Sequence, residues 1–188
     1  MKLILASASP RRREILSNAG YDYSIEVSSF PEVSFPNDPV RTVKENALGK
    51  AFDVFSSLKD DGAAVLGADT VVVLDNKIIG KPKDKEDAIN TLIKLSGNTH
   101  TVYTGYAIVS KNGVISGCEE SKVTFGVLPL KTIKDYVATG KPLDKAGSYG
   151  LQDGFVEIKS FTGSKNNIIG LPIEKIKPIL DDLLKNKA

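Results

Sequence analysis

The chain has 188 residues, of which 41% are hydrophobic and 26% charged, and its formal net charge at pH 7 is +2. These values predict one folded domain over residues 1–188 and exclude a largely disordered chain. With one cysteine and one histidine, neither a disulfide framework nor a Cys-rich or His-rich metal site is expected. The small net charge argues against nucleic acid as a partner. No apolar run approaches membrane-spanning length, so we expect a cytoplasmic protein with no membrane partner.

The first third of the chain predicts two strands and two helices. Runs of apolar residues indicate the strands, and apolar residues at helical spacing indicate the helices. Ser9 is placed as the N-cap and Pro10 as the first residue of the first helix, which Gly20 ends. The expected elements are a strand over 3–6, a helix over 10–19, a strand over 23–27, a proline-rich loop over 28–39 and a helix over 39–58.

The rest of the chain adds antiparallel hairpins, so the predicted fold class is α/β with a mixed twisted sheet and flanking helices. Residues 75–77 and 111–113 have the composition of tight hairpin turns. Pro178 is expected to kink or restart the last helix. The expected elements are strands over 63–74, 78–79, 99–110, 114–128 and 155–161, helices over 84–96 and 131–139, an irregular glycine-rich segment over 140–154 and a helix after Pro172.

Three of the four arginines in the chain are consecutive, at Arg11, Arg12 and Arg13. They stand in the first turn of the predicted helix, where positive side chains oppose the helix dipole and cost about 0.3–1 kcal/mol each. A bound polyanion would reverse this penalty, because helix N–H groups, the hydroxyls of Ser7 and Ser9 and the guanidinium groups would all point at phosphate oxygens. The alternative is a solvated basic helix end. The strand–turn–helix context favours phosphate binding, although neither a Walker loop nor a dinucleotide fingerprint is present.

Asp69 lies inside an apolar run that predicts a central strand. A carboxylate there must be paired, hydrogen-bonded, metal-bound or protonated. The alternative is a turn between two short strands that Asp69 caps, and the neighbouring Gly67 indicates either a backbone break or a close approach. Lys81 follows the next hairpin and can return near Asp69, while Lys50 lies on the apolar stripe of its helix and is expected to face a cleft. The alternative for either lysine is an ordinary surface residue, which is the common case for a single lysine.

Four further residues carry little information by themselves. Glu32 stands in the proline-rich loop and Gln152 in the glycine-rich segment. His100 lies among strand residues and is expected to be structural, and nothing near Cys118 marks that thiol as a nucleophile.

Six segments occur in order from the first strand to the last helix. They are Leu5-Ala6-Ser7-Ala8-Ser9-Pro10-Arg11-Arg12, Gly67-Ala68-Asp69-Thr70-Val71-Val72, Gly80-Lys81-Pro82, Leu95-Ser96-Gly97-Asn98-Thr99-His100, Pro142-Leu143-Asp144-Lys145-Ala146-Gly147-Ser148-Tyr149-Gly150-Leu151-Gln152 and Gly170-Leu171-Pro172. No single segment is decisive. Taken together, over nearly the whole chain, they resemble the Maf family of nucleoside triphosphate pyrophosphatases.

The resemblance implies two lobes around a cleft, in a fold similar to that of inosine triphosphate pyrophosphatases. It implies hydrolysis of a nucleoside triphosphate between the α and β phosphates, with Mg²⁺ or Mn²⁺ as a divalent cofactor. Asp69 matches the residue usually assigned as proton acceptor; Glu32 and Lys81 fall on further catalytic positions, and Asp69 and Glu32 on metal-binding ones. The positions that match substrate-binding residues are Ser7, Ser9, Arg11, Arg12, Lys50, Thr70 and Gln152, with Arg13 one beyond the paired arginines.

Within the family, Ala68-Asp69-Thr70 and Tyr149-Gly150-Leu151-Gln152 resemble the branch that acts on dTTP and UTP. Asp153 stands where many members have glycine, and the loop to Phe155 is short; both departures lie near the expected base pocket. The alternatives are a pyrophosphatase for modified nucleotides such as 7-methyl-GTP, a catalytically silent nucleotide sensor, and a regulator that binds nucleic acid through the arginine turn. As partners we expect the nucleoside triphosphate and, in one possible assembly, a second copy of the chain as a homodimer.

Overall fold

Residues 1–59 and 62–185 are described by a computed structural model, and within them the chain forms seven strands, six α-helices and three short 3₁₀ turns. None of these helices is both long and apolar enough to cross a membrane. In chain order the elements are β1 (Lys2–Leu5), α1 (Pro10–Asn18), β2 (Tyr23–Ile25), α2 (Pro39–Ser57), β3 (Ala63–Leu74), β4 (Lys77–Ile79), α3 (Lys85–Leu95), β5 (Thr99–Ser110), β6 (Gly113–Phe125), α4 (Leu130–Ala138), the 3₁₀ turns Lys141–Asp144, Ala146–Ser148 and Leu151–Asp153, β7 (Ile158–Thr162), α5 (Lys165–Ile169) and α6 (Ile173–Lys185).

The seven strands form one mixed sheet. Its order is β2-β1-β3-β5-β6-β7, and β4 pairs with the far end of β3. β1 runs parallel to β2 and β3, whereas the other pairs are antiparallel. With helices packed against this sheet, the structure confirms the predicted α/β class with a mixed sheet.

One edge of β3 has a gap in its pairing in the middle of the sheet. β1 pairs with β3 as far as Leu66, and β4 pairs with it from Val72 onward. Neither of these two strands covers residues 67–71, and Asp69 and Thr70 lie in this gap. Ligand sites in open sheets commonly lie where neighbouring strands part, so the topology directs attention to this point.

The hydrophobic core is divided between the two ends of the long strands. At the near end, α1 and α6 pack on one face of the sheet through residues such as Leu16 and Leu180, and α2 packs on the other through Ala47 and Ala51. At the far end, where β4 pairs with β3, α3, α4 and the glycine-rich segment enclose a third cluster. We call this part of the molecule the far lobe. The chain therefore has two lobes that share β3 and β5, as expected, and the gap in the edge of β3 lies between them.

Helix α2 approaches the sheet closely because the strands beneath it carry glycine. A Cβ on Gly67 would overlap the carbonyl oxygen of Ala47, and one on Gly105 would overlap that of Val43. Gly105 is the register partner of Asp69 on β5. Gly67 thus marks a close approach rather than a backbone break, and β3 continues through Asp69, so the alternative of a turn between two short strands is wrong.

The central strands match the sequence prediction, and the strand ends differ. β3 and β5 have the expected bounds, and Asp75 and Asn76 adopt the positive φ values, 49° and 61°, that a tight hairpin needs. β2 stops at Ile25 instead of residue 27, because its partner β1 ends at Leu5 opposite it. β6 stops at Phe125 instead of residue 128, after an irregularity in its pairing with β7.

The glycine-rich segment ends later than predicted. β7 begins at Ile158 rather than at 155, because Phe155 packs its ring on Tyr136 of α4, with centroids 4.8 Å apart. Phe155 therefore belongs to the far lobe's core rather than to the sheet.

The predicted N-cap of α1 is confirmed, whereas the helices near the end of the chain differ from the prediction. Ser9 is the N-cap of α1, but its side chain makes no capping hydrogen bond. Helix α5 was not expected; Ser164 caps it by accepting a hydrogen bond of 3.0 Å from the backbone N–H of Asn167. Helix α6 does not restart at Pro178, which lies inside one continuous helix. Pro178 and Glu174, whose carbonyl loses its helical donor, are both exposed.

Candidate active site

A cavity of about 360 Å³ opens at the gap in the edge of β3. Its size falls within the range of about 300–1,000 Å³ that is usual for small-molecule sites. The structure brings all the candidate site residues to its lining: Ser7, Ser9, Arg11, Arg12, Glu32, Lys50, Asp69, Thr70, Lys81 and Gln152. Arg13 does not line it, and its carbonyl oxygen accepts a 2.9 Å hydrogen bond from the Tyr23 hydroxyl instead.

Lys50 joins the two candidate catalytic carboxylates. Its ammonium lies 2.8 Å from Oδ1 of Asp69 and 2.6 Å from Oε1 of Glu32. Asp69 is buried and Glu32 is half-exposed. Burial alone would raise the pKa of Glu32, but the hydrogen bond and charge of Lys50, joined by the charge of Lys81, hold that pKa below its ordinary value. Both lysines therefore serve this cavity, and the alternative of ordinary surface lysines is wrong for Lys50.

Asn46 is a site residue that the sequence did not reveal. Its amide Nδ2 donates to Oδ2 of Asp69 at 2.9 Å and to the carbonyl oxygen of Val33 at 3.0 Å, while its Oδ1 accepts from the Val33 N–H at 2.8 Å. Asn46 is buried on α2. The Asn46 amide thus fixes the Asp69 carboxylate. Because Val33 directly follows Glu32, the same amide also fixes the loop that carries Glu32.

Arg12 is held by the protein on three sides. Its Nε donates to the Gly170 carbonyl at 2.8 Å, one terminal nitrogen to Ser7 Oγ at 3.1 Å and the other to Thr70 Oγ1 at 3.1 Å. Burial lowers the pKa of Arg12, and the charge of Asp69 opposes this shift. The guanidinium is therefore preorganised at the cavity wall, between the turn after β1 and the start of α6.

A buried hydroxyl chain orients Thr70. Thr70 Oγ1 lies 2.9 Å from Thr104 Oγ1, and Thr104 donates to the carbonyl oxygen of Asn167 at 3.0 Å. Since Arg12 donates to Thr70 and Thr104 uses its proton on Asn167, the Thr70 hydroxyl must donate to Thr104. Thr104 was also missed from the sequence, because an interior threonine of a strand has no distinguishing pattern.

The glycine-rich segment, which contains the three 3₁₀ turns, closes one side of the cavity. Arg11 forms an ion pair of 3.0 Å with Asp144, which also pairs with the buried ammonium of Lys145 at 2.9 Å. Asp153 accepts a 2.6 Å hydrogen bond from Tyr136 and lies 3.4 Å from Lys145. The residue that departs from the family pattern, Asp153, is thus bound to the scaffold of the far lobe.

The floor of the cavity is apolar beside this segment. Val72, Val102, Ile168 and Tyr149 line it there, and Gln152 is exposed at its rim. The Tyr149 hydroxyl lies 2.8 Å from Nε2 of His100, which is buried in the core of the far lobe. An apolar floor with an amide at its rim suits a planar heterocycle with carbonyl and N–H groups.

The formal charge of the cavity is positive. Five cationic side chains line it (Arg11, Arg12, Lys50, Lys81 and Lys145), against the three carboxylates of Glu32, Asp69 and Asp144. A polyanion suits this excess.

Comparison with known proteins decides the family. A family model described as "Maf-like protein" matches residues 2–183. The chain belongs to the Maf family. A dTTP/UTP pyrophosphatase of Clostridium beijerinckii is 43% identical to it over 188 residues, covering 97% of this chain and 100% of the relative. A dTTP/UTP pyrophosphatase of Aquifex aeolicus is 42% identical over 184 residues, covering 97% and 96%. The resemblance drawn from the six segments is confirmed.

Two solved structures are similar to this Maf fold over part of its length. The Staphylococcus aureus Ham1 protein has a TM-score of 0.48 and 13% identity, covering 66% of this chain and 72% of that chain. A nucleoside-triphosphatase / dITP/XTP pyrophosphatase of Mycobacterium abscessus has a TM-score of 0.47 and 19% identity, covering 69% and 76%.

The donor set of this Maf protein fits a divalent cation only in part. Within residues 1–59 and 62–185, no group of three or more His, Cys, Asp or Glu side chains could hold a metal ion. Glu32 and Asp69 nevertheless both direct an oxygen at one cation, the Lys50 ammonium. Mg²⁺ is usually held by one or two carboxylates together with substrate phosphates, so these two residues fit it as a partial site.

His100 and Cys118, for which the sequence predicted no role in a site, lie outside the cavity lining. His100 packs edge-on against Phe125 and Tyr149, and burial lowers its pKa to about 4. Cys118 is partly buried on β6, where burial raises its pKa to about 11. A thiol with a raised pKa is a poor nucleophile, in agreement with the sequence expectation.

Proposed function

We propose that this Maf-family protein hydrolyses nucleoside triphosphates, dTTP and UTP first, to the nucleoside monophosphate and pyrophosphate. One observation carries the proposal: the buried Asp69 carboxylate faces a positively charged cavity beside the turn formed by residues 7–12. The two relatives described above, aligned over nearly their whole length, are named for the same activity.

The reaction adds water across the anhydride between the α and β phosphates. The water oxygen forms a bond to phosphorus, one water proton passes to Asp69, and the bridging oxygen leaves with the other phosphoryl group. Asp69 can accept this proton because a hydrogen bond from Asn46 to its Oδ2 orients the carboxylate, and each oxygen keeps a free lone pair.

The cations of the cavity bind and orient the triphosphate. Arg12 is fixed by three hydrogen bonds, so it offers its remaining N–H groups without losing further conformational freedom. Arg11, in α1, and Lys81, after β4, line the same cavity. Both can neutralise charge on the leaving pyrophosphate.

A divalent cation completes the proposal. Glu32 and Asp69 would hold Mg²⁺ or Mn²⁺ together with phosphate oxygens. When bound there, the ion would lower the pKa of a coordinated water and neutralise phosphate charge. We also propose that the protein acts in the cytoplasm, and on free nucleotides rather than nucleic acid, because a net charge of +2 gives little attraction for a phosphodiester backbone.

The test is pyrophosphate release from a panel of dTTP, UTP, CTP, GTP and 7-methyl-GTP with Mg²⁺, Mn²⁺ and Co²⁺. We expect dTTP and UTP to be the best substrates. Asp69→Asn keeps the shape of the side chain and should lower kcat by about 10²- to 10⁴-fold, the usual contribution of a positioned general base. Asp135→Asn makes the same charge change on the exposed face of α4 and should leave kcat unchanged.

Each outcome of this test separates the proposal from one alternative. Preference for 7-methyl-GTP overturns the substrate assignment and keeps the reaction class. Nucleotide binding without pyrophosphate release overturns the reaction and favours a sensor. Near wild-type turnover in Asp69→Asn removes Asp69 from the role of base.

A further inference from the structure

The cation between the two carboxylates in this structure belongs to the protein itself. Lys50 Nζ lies 2.6 Å from Glu32 and 2.8 Å from Asp69, and only 13% of its side chain is exposed. The ammonium therefore offsets one of the two negative charges that would otherwise attract a metal ion.

A divalent ion and this ammonium compete for the same oxygens. Because both carboxylate oxygens touch one nitrogen, they are close enough to share a single ion after a small rotation of the half-exposed Glu32 side chain. A metal ion placed there would lie against a positive charge held in a nearly buried position, where repulsion is screened weakly. Lys50 must then leave the carboxylates, and it needs another anion to do so.

We propose that Lys50 makes metal binding depend on nucleotide: it occupies the cation position between Glu32 and Asp69 until a triphosphate offers its own oxygens to the ammonium. This inference rests on the proposed function for the identity of the anion. Lys50 lines the same cavity as the turn of residues 7–12, so a triphosphate bound in the cavity is within its reach. The metal and the nucleotide would then enter as one complex, and the nucleotide-free protein would not hold a metal ion.

The test measures Mn²⁺ binding by the full-length protein without nucleotide, from the loss of the electron paramagnetic resonance signal of free Mn²⁺. Wild type should bind Mn²⁺ weakly. Lys50→Met removes the charge with little change in side-chain length and should bind Mn²⁺ at least tenfold more tightly. Lys50→Met with Glu32→Gln should return to the wild-type affinity, because it removes one of the two carboxylates.

The matched control is Lys44→Met, which removes the same charge from an exposed position on the same helix and should not change Mn²⁺ affinity. Lys50→Gln, which can still donate hydrogen bonds, serves as the second variant if Lys50→Met unfolds. Equal Mn²⁺ affinity in wild type and a folded neutral variant overturns the proposal. Because no substrate is present, a failure to hydrolyse dTTP or UTP would overturn the proposed function without changing this result.

Discussion

The Nε of Arg12 donates a hydrogen bond of 2.8 Å to the carbonyl oxygen of Gly170, across 158 residues of sequence. The same guanidinium holds Ser7 and Thr70. One side chain thus connects the first turn of α1, the middle of β3 and the entry to α6. A guanidinium fixed in this way would lose little conformational entropy on binding an anion.

Arg12→Lys tests this connection. Lysine keeps the charge but cannot make all three hydrogen bonds with its single nitrogen, and the loss of one charged hydrogen bond costs about 1.5–3 kcal/mol. We expect KM for the triphosphate to rise about tenfold and the free energy of unfolding to fall by about 2–3 kcal/mol. Steady-state kinetics and urea denaturation measure the two effects. A lysine variant with wild-type KM and stability would mean that the position requires charge alone.

Asn46 should control turnover more than nucleotide binding. Asn46→Leu removes the hydrogen bond to Asp69 and both bonds to Val33, so the two carboxylates lose their common support. Misplacement of a catalytic group by about 1 Å can cost 10²-fold, and we expect a fall in kcat of about this size with a smaller change in KM. Asn90→Leu on the exposed face of α3 is the control. Lower thermal stability with unchanged kcat would reduce Asn46 to a purely structural residue.

Gly67→Ala should separate α2 from the sheet. The added Cβ would overlap the backbone of Ala47, which cannot move without displacing the helix that carries Asn46 and Lys50. We expect a loss of about 3 kcal/mol in unfolding free energy, at the upper end for overpacking, together with a loss of activity. A Cβ on Gly80 would meet no other atom within 4 Å, so Gly80→Ala should be tolerated. Thermal unfolding of the two variants provides the comparison.

His100 should make stability depend on pH below neutrality. Burial lowers its folded-state pKa to about 4, so between that value and about 6.5 the unfolded chain binds the extra proton and the folded protein does not. Stability therefore falls as pH decreases through this window, by up to about 3 kcal/mol from this residue, and the loss levels off below the folded-state pKa. His100→Phe should remove this part of the slope in urea unfolding measured from pH 7 to pH 4. Parallel curves for the two proteins would contradict the prediction.

The sequence is most informative where a local pattern decides the structure. The apolar runs of β3 and β5 predicted the correct strand bounds, and the arginines after β1 pointed to the cavity that the fold then assembled. Asn46 and Thr104 could not be found in this way. Gly67 and Gly105 admit α2 close to the sheet and so help to bury Asn46, and that is a tertiary effect.

The hydrogen-bond and ion-pair partners of the arginines could not be predicted from the sequence either. Nothing near Arg12 in the sequence indicates the carbonyl of Gly170, and the pairing of Arg11 with Asp144 depends on how the glycine-rich segment folds back. The side-chain types that line this cavity can be predicted from the sequence, whereas the contacts that hold them in place depend on chain segments that only the complete fold brings together.

The unpaired stretch of β3 has a consequence for its main chain. The carbonyl of Leu66 accepts a 2.8 Å hydrogen bond from the N–H of Ala6. In a strand, the N–H and C=O groups of every second residue point to the same edge. Ala68 and Thr70 therefore direct their amides toward the gap rather than toward another strand. In the middle of a central strand, these two amides should exchange with deuterium faster than their neighbours, and slower exchange there would report an occupied cavity without any turnover.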